Sequence, residues 1–198
     1  MPLMLVVGGP SGSGKSTAFT LSDFGIDHFN VDDRAAELNQ GNYRNIPPEI
    51  RAQANKECED FIASHIRETK SFAVETTLRS DITFEQAASA RTKGFIVELT
   101  YVATDDVEQN VERVAMRAEG GGHSAPPERL RRIYEMSLRN FSRALREFDR
   151  VEAFDNTQQS ARPRLVLTAE RGRITHIAEN PAPWLGRSLV GTEYELGS

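Results

Sequence analysis

Every position from Leu3 to Val7 is apolar, and Gly8-Gly9 end the run. A short stretch of that kind reads as a strand buried on both faces, as in a parallel sheet. A glycine-rich loop follows, and Lys15 to Ser22 reads as a helix stopped by Phe24-Gly25. Asp27 to Val31 reads as a second strand, with Asp32 and Asp33 at its C-terminal end. Pro47-Pro48 can open the next helix, since proline fits a first turn. That helix carries Ile50, Ala54, Cys58, Phe61, Ile62, His65 and Ile66 on one face, a helical period sustained over about four turns. Ser71 to Val74 reads as a third strand, and a helix follows from Asp81 to Lys93, stopped by Gly94. Phe95 to Val102 reads as a fourth strand. Thr104 is the expected N-cap of a helix bearing Val107, Val111 and Val114, with Asp105 and Asp106 favourable in its first turn. The run from Gly120 to Pro127 breaks regular structure. A long helix then carries Leu130, Ile133, Tyr134, Leu138, Phe141, Leu145 and Phe148. Arg150 to Asp155 reads as a fifth strand. Leu165 to Ala169 and Arg173 to Ala178 alternate around Arg171-Gly172, which predicts a hairpin.

Alternating strands and helices predict an α/β domain over residues 1–180, with a mostly parallel five-stranded sheet flanked by helices and a C-terminal β-hairpin. Residues 181–198 carry little pattern and read as a tail laid on the surface, pinned by Trp184. Composition narrows the class. The 198 residues are 38% hydrophobic and 27% charged, enough apolar material for one core and too much for a disordered chain. The longest apolar run is far short of a bilayer span, and no secretory leader is evident, so no membrane association is expected. A lone cysteine, Cys58, fits a reducing cytoplasm. Lys plus Arg is 24 against 29 for Asp plus Glu, a net charge of −5. That balance disfavours nucleic acid as a partner but leaves room for a local basic pocket holding a phosphorylated ligand.

The segment Gly9-Pro10-Ser11-Gly12-Ser13-Gly14-Lys15-Ser16 fits G-x-x-x-x-G-K-[ST] in full, between a predicted strand and a predicted helix. Glycines let the backbone wrap phosphate oxygens with inward N–H groups, and the helix N-terminus adds positive potential. Lys15 is expected to reach the β- and γ-phosphates of ATP, and Ser16 to hold Mg²⁺. A dinucleotide fingerprint fits less well, because Thr17 stands where Gly or Ala would be needed.

A phosphate loop implies nucleotide binding without naming the reaction. Thr92-Lys93-Gly94-Phe95 lacks the Asp of a guanine-reading motif, and no LSGGQ-like signature of a transport ATPase is present. Two strand ends point instead to a small-molecule kinase. Loops at the carboxyl ends of parallel strands line one crevice, so Asp32 and Glu75 should converge beside the γ-phosphate. One carboxylate can take the acceptor proton while the other organises Mg²⁺. Arg113 and Arg117, four residues apart, face the same way on a helix. With Arg129, Arg131 and Arg132 beyond the glycine run, they outline an arginine-bearing helical lid over about residues 113–134. His123 within that loop is assigned a structural or lid-locking part. A nucleotide-dependent switch, or a kinase for a nucleoside, a cofactor or an RNA end, is the alternative reading.

The motifs resemble the zeta-toxin-like P-loop kinases, in particular the stand-alone chromosomal branch known as predicted ABC-type ATPases. Those motifs are the phosphate loop through Thr17; Phe29-Asn30-Val31-Asp32; Val74-Glu75-Thr76-Thr77-Leu78-Arg79-Ser80; Arg113-Val114-Ala115-Met116-Arg117; Gly121-Gly122-His123 with Pro126; Leu130-Arg131-Arg132 with Tyr134; and Phe154-Asp155-Asn156-Thr157. The resemblance implies ATP-dependent phosphorylation of a sugar hydroxyl on UDP-N-acetylglucosamine or a related metabolite, and it makes an antitoxin protein a candidate partner. It further implies that Asp32 is the base, that Glu75, Thr77 and Arg79 serve the acceptor pocket and Mg²⁺, and that Arg117 with Arg131 or Arg132 neutralises the transferring phosphate. The Gly-Gly-His lid departs from the toxins whose substrate is known.

Overall fold

The computed structural model describes residues 1–122, 125–158 and 161–195. His123 lies outside them. In chain order the elements are β1 (Leu3–Gly8), α1 (Lys15–Ala18), a 3₁₀ turn (Leu21–Phe24), β2 (Asp27–Phe29), α2 (Val31–Leu38), α3 (Pro48–Glu68), β3 (Phe72–Thr76), α4 (Ile82–Thr92) and β4 (Ile96–Ala103). Then come α5 (Val107–Glu119), α6 (Pro127–Glu147), β5 (Arg150–Asp155), β6 (Arg164–Glu170), β7 (Arg173–Ile177) and α7 (Pro183–Leu189).

Among the described residues the strands join one sheet, in the order β2-β3-β1-β4-β5-β6-β7. β2, β3, β1, β4 and β5 pair in parallel. β6 then runs antiparallel to β5, and β7 antiparallel to β6. The sheet is therefore seven-stranded and mixed, where the sequence predicted five strands with the hairpin apart. The hairpin continues the sheet because the free edge of β5 offers unpaired N–H and C=O groups that Arg164–Glu170 satisfies.

The apolar run of β1 is buried on both faces, and its residues alternate between two clusters as a pleated strand requires. Met4 and Val6 join the main core under α3, α4, α6 and α7, while Leu5 and Val7 meet Leu21 and Ala73 on the other face. Full burial of such a strand is worth roughly 1.5–3 kcal/mol per large side chain, so its place at the sheet centre is strongly held.

Local capping corrects several expected boundaries. The second strand stops at Phe29, because the Asn30 side chain accepts from the backbone N–H groups of Asp32 and Asp33 and starts α2 there. Asp32 thus sits in the first turn of a helix, not on a strand end. α1 ends at Ala18 and gives way to the 3₁₀ turn. The N-cap of α5 is Asp106, whose side chain accepts from Glu108 N; Thr104 instead turns inward and donates to Asn110 Oδ1 at 2.7 Å.

The segment after Asn180 is more than a surface tail. Trp184, Leu185 and Leu189 of α7 are fully buried, with the Trp184 ring against Tyr101 and Phe141. Trp184 N donates to Asp105 Oδ1 and its Nε1 to Asp155 Oδ1. These carboxylates stand at or just beyond the C-terminal ends of β4 and β5, so α7 braces the end of the sheet at which the phosphate loop lies.

Candidate active site

The phosphate loop leaves β1 and threads between β4 and α5. A Cβ on Gly9 (φ 138°) would stand 2.0 Å from the Val102 carbonyl oxygen, and one on Gly12 (φ 80°) 2.4 Å from the Asn110 carbonyl oxygen. Only glycine fits either place. Pro10 O accepts from Ser13 N, and the carboxamide of Asn156 donates to Ser13 O at 2.8 Å. Gly14 begins the turn into α1, and its carbonyl accepts from Thr17 N. Ser11 is half-buried and Thr17 exposed.

Lys15 is buried, with Nζ donating to Pro10 O at 3.0 Å and lying 3.8 Å from Glu75 Oε1. Burial lowers its pKa below the ordinary lysine value; Glu75 and Asp32 oppose that shift and Arg117 adds to it. Ser16 Oγ donates to Glu75 Oε2 at 2.8 Å. Parallel pairing of β1 with β3, Val7 opposite Glu75 and Gly8 opposite Thr76, is what brings Glu75 to the loop. The hydroxyl and carboxylate are hard oxygen donors of the kind Mg²⁺ takes alongside phosphate oxygens and water. Among the described residues no cluster of three or more His, Cys, Asp or Glu could hold an ion alone.

Asp32 points from the first turn of α2 with its carboxylate half exposed, 3.8 Å from Arg51. Its field reaches both Lys15 and Arg79. Thr77 and Arg79 lie on the turn after β3. There Leu78 N donates to Thr76 Oγ1, Leu78 adopts φ 53°, and Asn140 of α6 donates to Leu78 O. Burial lowers the Arg79 pKa, Arg129 lowers it further, and Asp32 opposes.

The lid arginines divide. Arg117 is exposed on α5, and its charge is felt by Lys15. Arg113 is tied down, donating to Gly12 O, Asn156 O and Thr157 O, so it joins the phosphate loop to the segment after β5. Arg131 is bound bidentately to Glu108 of α5 at 2.7 and 2.8 Å. Arg132 stands exposed on α6. Sequence reasoning passed over Asn110 and Arg51, which lie in no recognisable motif, and took Asn156 only as part of a string. Its position one residue past β5 was the available signal.

A buried lysine in a glycine loop at the tip of the central strand, with acidic and guanidinium groups on the neighbouring strand and helices, defines a P-loop nucleotide-binding protein of the kinase type. The chain belongs to the Zeta toxin family, whose model matches residues 1–177. It is 31% identical over 119 residues to an uncharacterized protein of Haemophilus influenzae, covering 58% of this chain and 80% of that protein. Among solved structures it resembles a chain of the PezAT chromosomal toxin–antitoxin system of Streptococcus pneumoniae, with TM-score 0.62, 22% identity, and coverage of 85% of this chain and 72% of that one. It also resembles a chain of the AvrRxo1-ORF1:-ORF2 complex solved with ATP, with TM-score 0.68 and 15% identity. That match covers 88% of this chain and 60% of the other. No helix among the described residues is long and apolar enough to cross a membrane.

Proposed function

We propose that this protein transfers the γ-phosphate of ATP to a hydroxyl of a nucleotide-sugar or a similar phosphorylated metabolite. The observation that carries the reading is Lys15, set 3.8 Å from Glu75 and within the field of both Asp32 and Arg117. That neighbourhood supports a reading in which a donor-phosphate cradle and an acidic acceptor wall share one cleft. The loop N–H groups and Lys15 hold the donor phosphates. Asp32, half exposed and on the acceptor side, takes the hydroxyl proton as the oxygen attacks. Arg117, with Arg132 or Arg129 from α6, neutralises charge spreading over the equatorial oxygens, and Arg79 steadies the acceptor. Ser16 and Glu75 would hold Mg²⁺, which when bound screens the phosphate charge. Two of the similar structures come from two-protein systems, which supports a protein antitoxin as a regulatory partner.

The test is ADP release by purified protein with and without UDP-sugars, followed by mass spectrometry of the product. Acceptor-dependent release and a singly phosphorylated product are expected. Lys15→Ala should abolish turnover, and Asp32→Asn should abolish transfer while sparing ATP affinity. Full turnover by Asp32→Asn would remove the base assignment. Slow hydrolysis indifferent to every acceptor would favour a nucleotide switch.

A further inference from the structure

The loop between α2 and α3 reaches across the cleft to the lid. Arg44 Nη2 donates to the carbonyl oxygens of Ala118 and Glu119, the last two residues of α5, at 2.6 and 2.5 Å. Ala118 O also accepts from Gly121 N, and the carbonyls at a helix C-terminus carry the negative end of the helix dipole, so a guanidinium there is a favourable cap. The rest of that helix end closes through the glycine turn: Gly122 N donates to Arg117 O, and a Cβ on Gly122 would strike Arg117 Cγ at 2.6 Å. Arg117 and the capped carbonyls are thus one folded unit.

Arg44 is itself rigidly held on the acceptor side. Its N–H donates to Asn42 Oδ1, and its carbonyl accepts from the side chain of Asn39, the C-cap of α2. Next to it, the Tyr43 hydroxyl donates to Asp33 Oδ1 at 2.8 Å, one residue from Asp32. Among the described residues the last turn of α5 buries no side chain. Asn110 and Val114 are its buried residues, and Met116 is 60% exposed. A cavity of about 470 Å³ lies between α5 and α6, lined by Val111, Val114, Ala115, Ala118 and Leu130, with Arg44 at its edge. A helix end over a gap can shift unless something ties it.

We propose that Arg44 is a positioning residue for the transfer reaction: by capping α5 it holds Arg117 in fixed relation to α2, so the lid guanidinium and the Asp32 carboxylate are brought to the reacting groups together. The role in catalysis rests on the kinase reading; the latch does not. A lid carrying Arg117 but cut loose from α2 would still bind ATP through the phosphate loop, while populating the closed arrangement less often.

The experiment pairs a structural readout with a kinetic one. Nitroxide labels at Gln40→Cys, just past α2, and Met116→Cys, exposed in the last turn of α5, in a Cys58→Ser background, report the separation of the α2–α3 loop from the end of α5 by pulsed dipolar spectroscopy. A narrow distribution is expected, broadened by Arg44→Ala and partly restored by Arg44→Lys, which keeps the charge and its N–H donors but not the planar guanidinium. In the unlabelled enzyme, Arg44→Ala should lower kcat for transfer at least tenfold while changing ATP affinity less than twofold, with Arg44→Lys intermediate. An unchanged distance distribution in Arg44→Ala overturns the proposal. So does a broadened distribution with unaltered kcat. If no acceptor is phosphorylated by the wild type yet the distribution broadens, the latch stands and the kinase reading falls.

Discussion

Glu75 meets two partners at once, Ser16 Oγ at 2.8 Å and Lys15 Nζ at 3.8 Å, and so links the donor cradle to the strand beside it. Its charge opposes the burial that lowers the Lys15 pKa. Glu75→Gln keeps an acceptor for Ser16 but loses the charge. It should lower kcat by about 100-fold, in the range found for acid–base and metal-organising carboxylates, with the melting temperature nearly unchanged. Steady-state kinetics beside a thermal melt would check it. Cys58 makes the opposite case. Burial pushes its thiol up to about 11, so the thiol stays protonated at neutral pH. Because the thiolate is the reactive form, alkylation by iodoacetamide at pH 8 should run roughly 100-fold slower than for a free thiol, rising about tenfold per pH unit and levelling only near pH 11. A fast reaction at pH 8 would contradict the packing of α3.

At the level of helices and strands, caps set where chemistry is presented. Asn30 begins α2 early enough to place Asp32 in a first turn, where the backbone N–H groups favour a carboxylate. Asp106 does the same for α5, the helix that carries Arg113 and Arg117. Asp106→Ala should destabilise the protein by about 1 kcal/mol, the usual cost of a lost N-cap, measured by urea denaturation. If its cost is nil, the Thr104–Asn110 contact supplies the helix start instead. These caps were only half readable from sequence. Asn30, Asp33, Thr104, Asp105 and Asp106 are all competent cap residues, and propensity cannot rank neighbours that differ by tenths of a kcal/mol. The helical faces of α3 and α6 were readable throughout, since their apolar period runs unbroken over many turns.

Across the entire fold, α7 matters more than its lack of pattern suggests. Trp184 fills the space beside Tyr101 and Phe141 and bonds to Asp105 and Asp155, next to Asn156 and Arg113. Trp184→Ala should cost about 3–5 kcal/mol, a large share of a domain's total stability. It should also loosen the Asn156 clamp on Ser13, so ATP affinity should fall along with the melting temperature. Trp184→Phe, which gives up only the Nε1 bond and part of the ring, should lose less than half as much. Equal melting temperatures for all three proteins would show that α7 is not seated in the core.

Neighbouring residues were enough to dictate the phosphate loop, the buried central strand, the amphipathic helices and the presence of a C-terminal hairpin, because each depends on backbone freedom or apolar spacing over a few positions. The same loop and the adjoining Glu75 announced a nucleotide site. Contacts between distant segments settled the rest: a hairpin that extends the sheet to seven strands, Arg131 drawn to Glu108, Arg113 spent on carbonyls, and Arg44 closing on a helix end 74 residues away. Such pairings turn on which groups chain closure leaves without partners, and that is defined only once the sheet and its helices have packed.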